Sequence, residues 1–156
     1  MSTAFSPVPR VHLRPSLSPP HPSPRHSPSA RIRASLQESR PAIAVVGVTG
    51  AVGQEFLRVL SDRDFPFRSI KMLASNRSAG RSISFQDKDY LIEELTADSF
   101  DGVDVALFSA GGSISKAFGP VAAFKGVMVV DNSSAFRMDD GVPLVIPEVN
   151  RRLWRV

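Results

Sequence analysis

Short runs of apolar residues recur along the chain after residue 41, and polar stretches separate them. Residues 43–46, 103–108 and 127–130 are rich in valine and show little polar alternation, so each run predicts a strand buried on both faces. Residues 70–74 predict another strand. Two weaker candidates are residues 83–95, which predict one or two short strands around Asp87, Lys88 and Asp89, and residues 144–146, which Pro147 would end.

Two stretches between these strands carry apolar residues at the spacing of one helix face. The first helix should end before Phe65, because a residue that precedes proline disfavours the α region. Ser113 is the expected N-cap of the second helix. Strand, helix and strand at this spacing predict an α/β fold with a Rossmann-like, doubly wound and mostly parallel sheet. The two stripes are Val52, Phe56, Val59 and Leu60, and Ile114, Phe118, Val121 and Ala122.

The first 34 residues differ in composition from the rest of the chain. Through residue 37 there is no Asp or Glu, but there are eight prolines, eight serines and five arginines. The stretch RIRAS at residues 31–35 resembles a stromal processing site, with cleavage expected after Ala34. So many prolines disfavour the amphipathic helix of a mitochondrial presequence. We therefore expect a disordered transit peptide for the chloroplast stroma at residues 1–34; a disordered tail without a targeting role is the alternative.

This leader also accounts for the basic balance of the chain, whose formal net charge is +4. Removing its five arginines leaves 14 Lys and Arg against 15 Asp and Glu, so the folded part gives no reason to expect nucleic-acid binding. The leader holds no apolar run long enough for a membrane span. With residues 35–41 as a linker, residues 42–150 suffice for one domain.

Three glycines, Gly47, Gly50 and Gly53, follow the first predicted strand and open the first predicted helix. The pattern G-x-x-G-x-x-G is a variant of the dinucleotide fingerprint, in which amides at the helix start face a pyrophosphate. A tight turn that needs glycine only for its backbone conformation and close packing is the alternative. The buried strand before the glycines and the amphipathic helix after them favour the dinucleotide.

The second predicted strand leads into Ser75, Asn76, Arg77 and Ser78. In NAD-binding domains a carboxylate near this place usually accepts hydrogen bonds from the adenosine ribose. A guanidinium and two hydroxyls can instead bind a 2′-phosphate, so the loop indicates NADP rather than NAD. A solvated loop that happens to contain an arginine is an equal alternative on position alone.

Two further loops follow predicted strands, and such loops line the ligand crevice of a doubly wound sheet. FSAGGSIS, at residues 108–115, supplies small residues at the end of one strand. VVDNSSAFRM, at residues 129–138, follows the next strand. Arg137 could bind a phosphate or carboxylate through its guanidinium fork, but spacing alone favours a surface arginine, and Asn132, Ser133 and Ser134 could simply cap a turn.

Five motifs, taken together, resemble aspartate-semialdehyde dehydrogenase. They are GVTGAVGQEFLRVL, ASNRSAGRSI, FSAGGSIS, DNSSAFRM and VPLVIPEVN, in the family's order and spacing within residues 42–150. The resemblance implies NADP-dependent reductive dephosphorylation of L-aspartyl 4-phosphate to L-aspartate 4-semialdehyde, in lysine, threonine and methionine biosynthesis, by a homodimer. The leader fits the plant version. N-acetyl-glutamyl-phosphate reductase shares the architecture, but its glycine turn usually carries Tyr-Thr-Gly where this chain has Val48-Thr49-Gly50.

The resemblance implies a role for each loop. The turn from Gly47 to Gly53 would contact the NADP pyrophosphate, and the loop after the second strand its 2′-phosphate. The third loop would lie along the cofactor towards the nicotinamide, and the fourth would bind the acyl phosphate, with Arg137 gripping the phosphate. The residues are Gly47, Thr49, Gly50, Ala51, Val52 and Gly53; Ser75, Arg77 and Ser78; Ser109, Ala110 and Gly111; and Asn132 and Arg137.

The chain departs from the family in its chemistry. The family uses a cysteine nucleophile and a histidine general acid/base, whereas this chain has no cysteine and its only histidines are His12, His21 and His26 in the leader. We therefore expect no catalytic and no metal-binding residue here, and no dehydrogenase activity from this chain alone. Residues 151–156 do not continue the family pattern, as in a splice form, a retained intron or a mispredicted gene. A non-catalytic NADP-binding or regulatory fragment is the alternative function.

Overall fold

The computed structural model describes residues 40–154, apart from the side chains of Arg151 and Trp154. The predicted leader at residues 1–34, most of the linker, and the last two residues of the predicted tail lie outside the described residues. Short 3-10 turns cover Asn76–Ser78, Ala97–Phe100 and Arg151–Trp154. The remaining elements are β1 (Ala42–Val46), α1 (Ala51–Asp62), β2 (Ser69–Ala74), β3 (Ser82–Phe85), β4 (Lys88–Glu94), β5 (Val105–Phe108), α2 (Gly112–Phe124), β6 (Met128–Asp131) and α3 (Pro147–Asn150).

The strands form one mixed sheet in the order β3-β4-β2-β1-β5-β6. Every neighbouring pair is parallel except β3 and β4, which form an antiparallel hairpin. The hairpin turns at Gln86 and Asp87, both with positive φ, so the weak prediction for residues 83–95 is resolved as two strands. Parallel strands joined through α1 and α2 confirm the predicted α/β, Rossmann-like fold.

The core has two halves because successive residues of β1 point to opposite faces of the sheet. Ile43 and Val45 pack on the face that carries α1, whereas Ala44 and Val46 pack on the face that carries α2. All five residues of β1 are buried. Residues 43–46 are all apolar because helices cover both faces of β1, as predicted for a strand buried on both faces.

The buried face of α1 differs from the predicted stripe. Gly53, Leu57 and Leu60 are buried, whereas Val52 and Val59 are 44% and 43% exposed. The predicted end of the helix before Phe65 is confirmed, since α1 ends at Asp62. The stripe was wrong at the two valines because close backbone packing turns Gly53 towards the sheet.

The predicted N-cap of α2 was also wrong. Gly111 is the N-cap and has φ +88°, so the chain turns into the helix two residues before Ser113. A positive φ is strained for most L-residues and is accessible to glycine. Ser113 consequently lies inside the first turn of α2.

Residues 144–146 form no strand, in contrast to the prediction. The side chain of Asn150 binds this segment instead: its Oδ1 accepts from the Ile146 amide at 2.6 Å, and its Nδ2 donates to the Leu144 carbonyl oxygen at 2.8 Å. Backbone groups that would have paired with a neighbouring strand are therefore satisfied locally. Within residues 40–154, no helix has the length and apolar character needed to cross a membrane.

Candidate dinucleotide-binding site

Four parallel strands end at one edge of the sheet, and each is followed by a loop of the candidate site. Their order is β2, β1, β5 and β6. From β1 the chain first passes through α1 to β2 on one side, and later enters β5 on the other side. The end of β1 is therefore the point where the strand order reverses, which is where doubly wound sheets bind ligands.

Close backbone approach explains two of the three glycines in the β1–α1 turn. Gly47 has φ +85°, and a Cβ placed there would stand 2.9 Å from the carbonyl carbon and oxygen of Ser109. A Cβ at Gly53 would stand 2.7 Å from the Val48 Cα and closer still to the Gly47 carbonyl oxygen. No real side chain fits at such distances. The turn is thus built so that α1 begins directly against the end of β1.

The start of α1 presents backbone donors to solvent. Thr49, Gly50, Ala51 and Val52 are exposed. The amide of Gly50 donates to the Gly47 carbonyl oxygen at 3.0 Å, but the amides of Ala51 to Gly53 have no hydrogen-bond acceptor among residues 40–154. Unpaired amides at the positive end of a helix form a cradle for an anion such as a pyrophosphate.

The turn itself is held firmly. The amides of Gly47 and Val48 both donate to the Leu73 carbonyl oxygen, at 2.8 and 3.2 Å. From the helix side, Gln54 Nε2 donates to the Val48 carbonyl oxygen at 2.6 Å. The Val48 side chain is fully buried. The amides at the start of α1 are therefore fixed in place before a ligand arrives.

The loop after β2 carries the predicted 2′-phosphate residues on a 3-10 turn, with Ser75 as its N-cap. Arg77 is exposed and makes no ion pair or hydrogen bond within the described part of the chain. The amide of Ser78 donates to the Ser75 carbonyl oxygen at 2.8 Å, which closes the turn. Because β2 lies next to β1 in the sheet, the loop with these three hydrogen-bonding side chains, including the Arg77 guanidinium, is the neighbour of the glycine turn.

A carboxylate that was not among the predicted site residues lies beside this loop. Glu94, the last residue of β4, accepts a hydrogen bond from Asn76 Nδ2 at 2.9 Å. The signal was present as two acidic residues, Glu93 and Glu94, at the end of a predicted strand. Only the order of the strands, with β4 next to β2, brings Glu94 to the turn.

The loop after β5 contacts the glycine turn directly. Ser109 donates to the Val46 carbonyl oxygen through its amide at 2.9 Å and through its hydroxyl at 3.2 Å. Gly111 then opens α2, with its carbonyl oxygen accepting from the Ser115 amide at 3.0 Å. The backbone of Ser109 and Ala110 therefore lies against Gly47 of the β1–α1 turn.

The loop after β6 is held by a hydroxyl and carboxylate network that the sequence did not reveal. The Ser133 hydroxyl donates to Asp131 Oδ2 at 2.8 Å and lies 3.2 Å from the Ser115 hydroxyl, which is buried in α2. Ser133 Oγ also accepts from the Ala135 amide at 3.1 Å. This network ties the loop that carries Asn132 and Arg137 to α2.

Arg137 lies at the far side of the site from Arg77, beyond β1 and β5. Its Nη2 donates to the Ser133 carbonyl oxygen at 3.4 Å, and the residue is exposed. It also borders an apolar groove of about 480 Å³ between β6, the end of α2 and residues 142–145. Asn132 is exposed as well, and its amide donates to the Phe108 carbonyl oxygen at 3.2 Å. Both predicted substrate residues therefore face outward at the β6 end.

The shifted pKa values lie outside the loops of the site. On the exposed face of α1, a hydrogen bond from Arg58 holds the pKa of Glu55 below its ordinary value. At the end of α2, a hydrogen bond to Asp101 raises the pKa of Lys125. Both are exposed ion pairs on the protein surface, so they bear on local charge and not on chemistry at the sheet edge.

The fold and the edge loops define a nucleotide-binding domain of the doubly wound type. The profile described as "Semialdehyde dehydrogenase, NAD binding domain" matches residues 42–155, and the chain belongs to this family. Aspartate-semialdehyde dehydrogenase of Bacillus subtilis is 52% identical over 108 residues, which are 69% of this chain and 31% of that protein. The chain thus spans about a third of the length of the curated relatives it matches.

Solved structures agree with this membership. Aspartate semialdehyde dehydrogenase II from Vibrio cholerae, complexed with ASA, superposes with a TM-score of 0.70 at 43% identity, over 73% of this chain and 37% of that one. The Candida albicans aspartate semialdehyde dehydrogenase, solved with NADP, superposes with a TM-score of 0.61 at 27% identity, over 70% of this chain and 34% of that one. The match covers the nucleotide-binding part.

Proposed function

We propose that this chain is the NADP-binding part of an aspartate-semialdehyde dehydrogenase. The observation that carries the proposal is the β1–α1 turn, where Gly47 and Gly53 leave no room for side chains and the amides of Ala51 to Gly53 have no partner in the described part of the chain. Such a cradle fits a pyrophosphate, which needs backbone donors and close approach. Ser109 to Gly111, whose loop meets this turn through Ser109 and Ala110, would line the cofactor towards its nicotinamide.

The preference for NADP rests on the loop after β2. Arg77 has a free guanidinium in the described structure, and Ser75 and Ser78 add hydroxyls on the same turn. A guanidinium binds phosphate oxygens by two parallel hydrogen bonds, so these residues suit the 2′-phosphate that distinguishes NADP from NAD. The NADP in the Candida albicans relative supports this choice.

For the complete protein we propose the reductive dephosphorylation of L-aspartyl 4-phosphate, with Asn132 and Arg137 at the acyl phosphate. When bound, the reduced cofactor supplies a hydride. The chain contains no cysteine, so it offers no thiol nucleophile, and its histidines all precede residue 27. We therefore propose that these 156 residues hold the cofactor but do not turn over substrate alone.

A non-catalytic role is the second candidate function. The cofactor turn is intact although no thiol is present, and large apolar residues of the C-terminal part, such as Leu144, Ile146 and Val149, are exposed. Such a surface could associate with a complete dehydrogenase, itself proposed to be a homodimer, and lower its activity. Titrating the chain into the complete enzyme tests this role, and unchanged activity and mass exclude it.

Plastid import is a separate proposal that rests on the composition of residues 1–34. A fluorescent protein that carries residues 1–34 should enter the chloroplast stroma of plant cells. The same fluorescent protein fused to residues 35–156 should stay outside, and equal distribution of the two fusions would contradict the proposal.

Cofactor binding is tested by adding NADPH to the purified chain and following its fluorescence and the thermal unfolding of the protein. Saturable fluorescence enhancement and a raised melting temperature are expected, since a ligand that binds only the folded state stabilises it. A folded chain that shows neither response would refute the proposed function.

A further inference from the structure

A carboxylate lies where the 2′-phosphate is expected to bind. Ala74, the last residue of β2, pairs with Glu94 of β4, and the amide of Leu95 donates to the Ala74 carbonyl oxygen at 2.9 Å. Glu94 therefore ends its strand beside the start of the turn that carries Arg77. Its side chain is exposed, so it can face a ligand at this edge.

The Glu94 carboxylate is hydrogen-bonded to the turn after β2 through the side chain of Asn76. Asn76 Nδ2 donates to Glu94 Oε2 at 2.9 Å, and Asn76 immediately precedes Arg77. An ionised carboxylate only accepts hydrogen bonds, so the amide nitrogen must be the group that faces it. The bond occupies one oxygen, and none of the described residues donates to Oε1, which can accept from another donor.

Arg77 does not neutralise this charge. Among residues 40–154, Arg77 forms no ion pair with any acidic residue, although Glu94 contacts its neighbour. A positive and a negative group thus stand separately at one small site. A 2′-phosphate is attracted by the first and repelled by the second, whereas a ribose 2′-hydroxyl can donate to the free carboxylate oxygen.

We propose that Glu94 is a specificity-determining residue of the cofactor site. Arg77 favours NADP over NAD, and Glu94 makes this preference smaller. The inference rests on the proposed cofactor function. Glu94 has two separable roles. Its negative charge disfavours the 2′-phosphate, and its hydrogen bond to Asn76 fixes the turn.

Three variants of the full 156-residue chain separate these roles. Glu94→Gln removes the charge but keeps an oxygen that accepts from Asn76, whereas Glu94→Ala removes both the charge and the acceptor. Glu93→Gln is the matched control, because it makes the same charge change one residue earlier on β4, where the side chain points to the opposite face of the sheet. Both substituted positions, Glu93 and Glu94, are exposed, so the fold should be retained.

The measured quantity is the ratio of the dissociation constants for NAD and NADP, determined by calorimetry at low and high salt. Glu94→Gln should raise this ratio about threefold at low ionic strength, since one repulsive charge is removed. The gain should shrink in about 0.5 M KCl, where exposed charges are screened within a few ångströms. Glu93→Gln should leave the ratio unchanged, and Glu94→Ala should bind NADP more weakly than Glu94→Gln at both salt concentrations.

The possible negative results distinguish the proposed cofactor function from the role of Glu94. If the wild-type chain is folded but binds neither cofactor, the proposed function and this inference are both overturned. If the wild type binds NADP and Glu94→Gln leaves the ratio unchanged, or raises it equally at both salt concentrations, only the role of Glu94 is overturned.

Discussion

A methyl group on Gly53 would stand 2.7 Å from the Cα of Val48, because the first turn of α1 lies directly against the end of β1. Backbone atoms cannot move aside as a flexible side chain can. Gly53 has only a hydrogen atom where other residues have a side chain. The position of the helix therefore depends on Gly53, and so does the direction of the amides at its start.

Replacing Gly53 with alanine should therefore push α1 away from β1. We expect the free energy of unfolding to fall by about 1–3 kcal/mol, as for other overpacked sites, and NADP binding to be lost or strongly weakened. Gly50→Ala is the matched control for stability, because its Cβ would meet only the Gly47 carbonyl oxygen at 3.4 Å. Urea unfolding measures the stability of both variants, and NADPH fluorescence measures cofactor binding by Gly53→Ala. An equal loss of stability in the two variants would contradict the packing argument.

Arg77→Ala should weaken NADP binding without affecting NAD. Hydrogen bonds between charged groups contribute about 1.5–3 kcal/mol, so the NADP dissociation constant should rise about 10- to 100-fold. Arg63→Ala removes the same charge at the C-cap of α1, at the opposite end of that helix from the glycine turn, and should have little effect. Calorimetric titration with both cofactors provides the measurement. A similar loss for NAD would show that Arg77 supports the fold and not the 2′-phosphate.

Ser133→Ala should loosen the loop after β6. The change removes the hydroxyl that contacts Asp131 and accepts from the Ala135 amide, and it deprives the buried Ser115 of its partner. We expect a loss of about 1–3 kcal/mol of stability and faster hydrogen exchange at residues 132–137, because buried polar groups lose their partners. NADP affinity should stay near that of the wild type. Unchanged exchange in this loop would contradict the role of the network.

Arg137→Ala should leave NADP binding intact but abolish phosphate binding at the β6 loop. Within residues 40–154 the guanidinium makes one long hydrogen bond, to the Ser133 carbonyl oxygen at 3.4 Å, so most of its donors are available there. In NMR spectra of the labelled chain, inorganic phosphate should shift the Arg137 side-chain resonance at millimolar concentrations. Arg137→Lys should respond more weakly, since it lacks the fork. Phosphate shifts confined to Arg77 would contradict the assignment.

Much of the fold was predictable because buried parallel strands leave a plain sequence signal. The run at residues 43–46 is apolar since helices cover both faces of β1. The glycine spacing likewise predicted the strand-to-helix turn, because positive φ at Gly47 and the missing side chain at Gly53 are demands on single residues. Local requirements of this kind can be read from residue types.

The wrong and missed predictions have two physical causes: a local bond or turn that competes with the predicted element, and contacts that form only in the assembled sheet. The strand predicted at residues 144–146 was wrong because Asn150 satisfies its backbone groups from four and six residues away. Ser113 was wrong as an N-cap because Gly111 turns the chain earlier. Asn76 and Glu94, like Ser115 and Ser133, meet only after the strands are ordered. Contacts made by the three-dimensional arrangement leave no periodic signal along the chain.

We propose above all that the β1–α1 turn and Arg77 together hold NADP. Isothermal titration calorimetry of the folded chain with NADP, and with NAD under the same conditions, measures this binding. We expect saturable binding of one NADP per chain, with NAD binding more weakly. A folded chain that takes up no NADP, or that binds NAD more tightly than NADP, would contradict it.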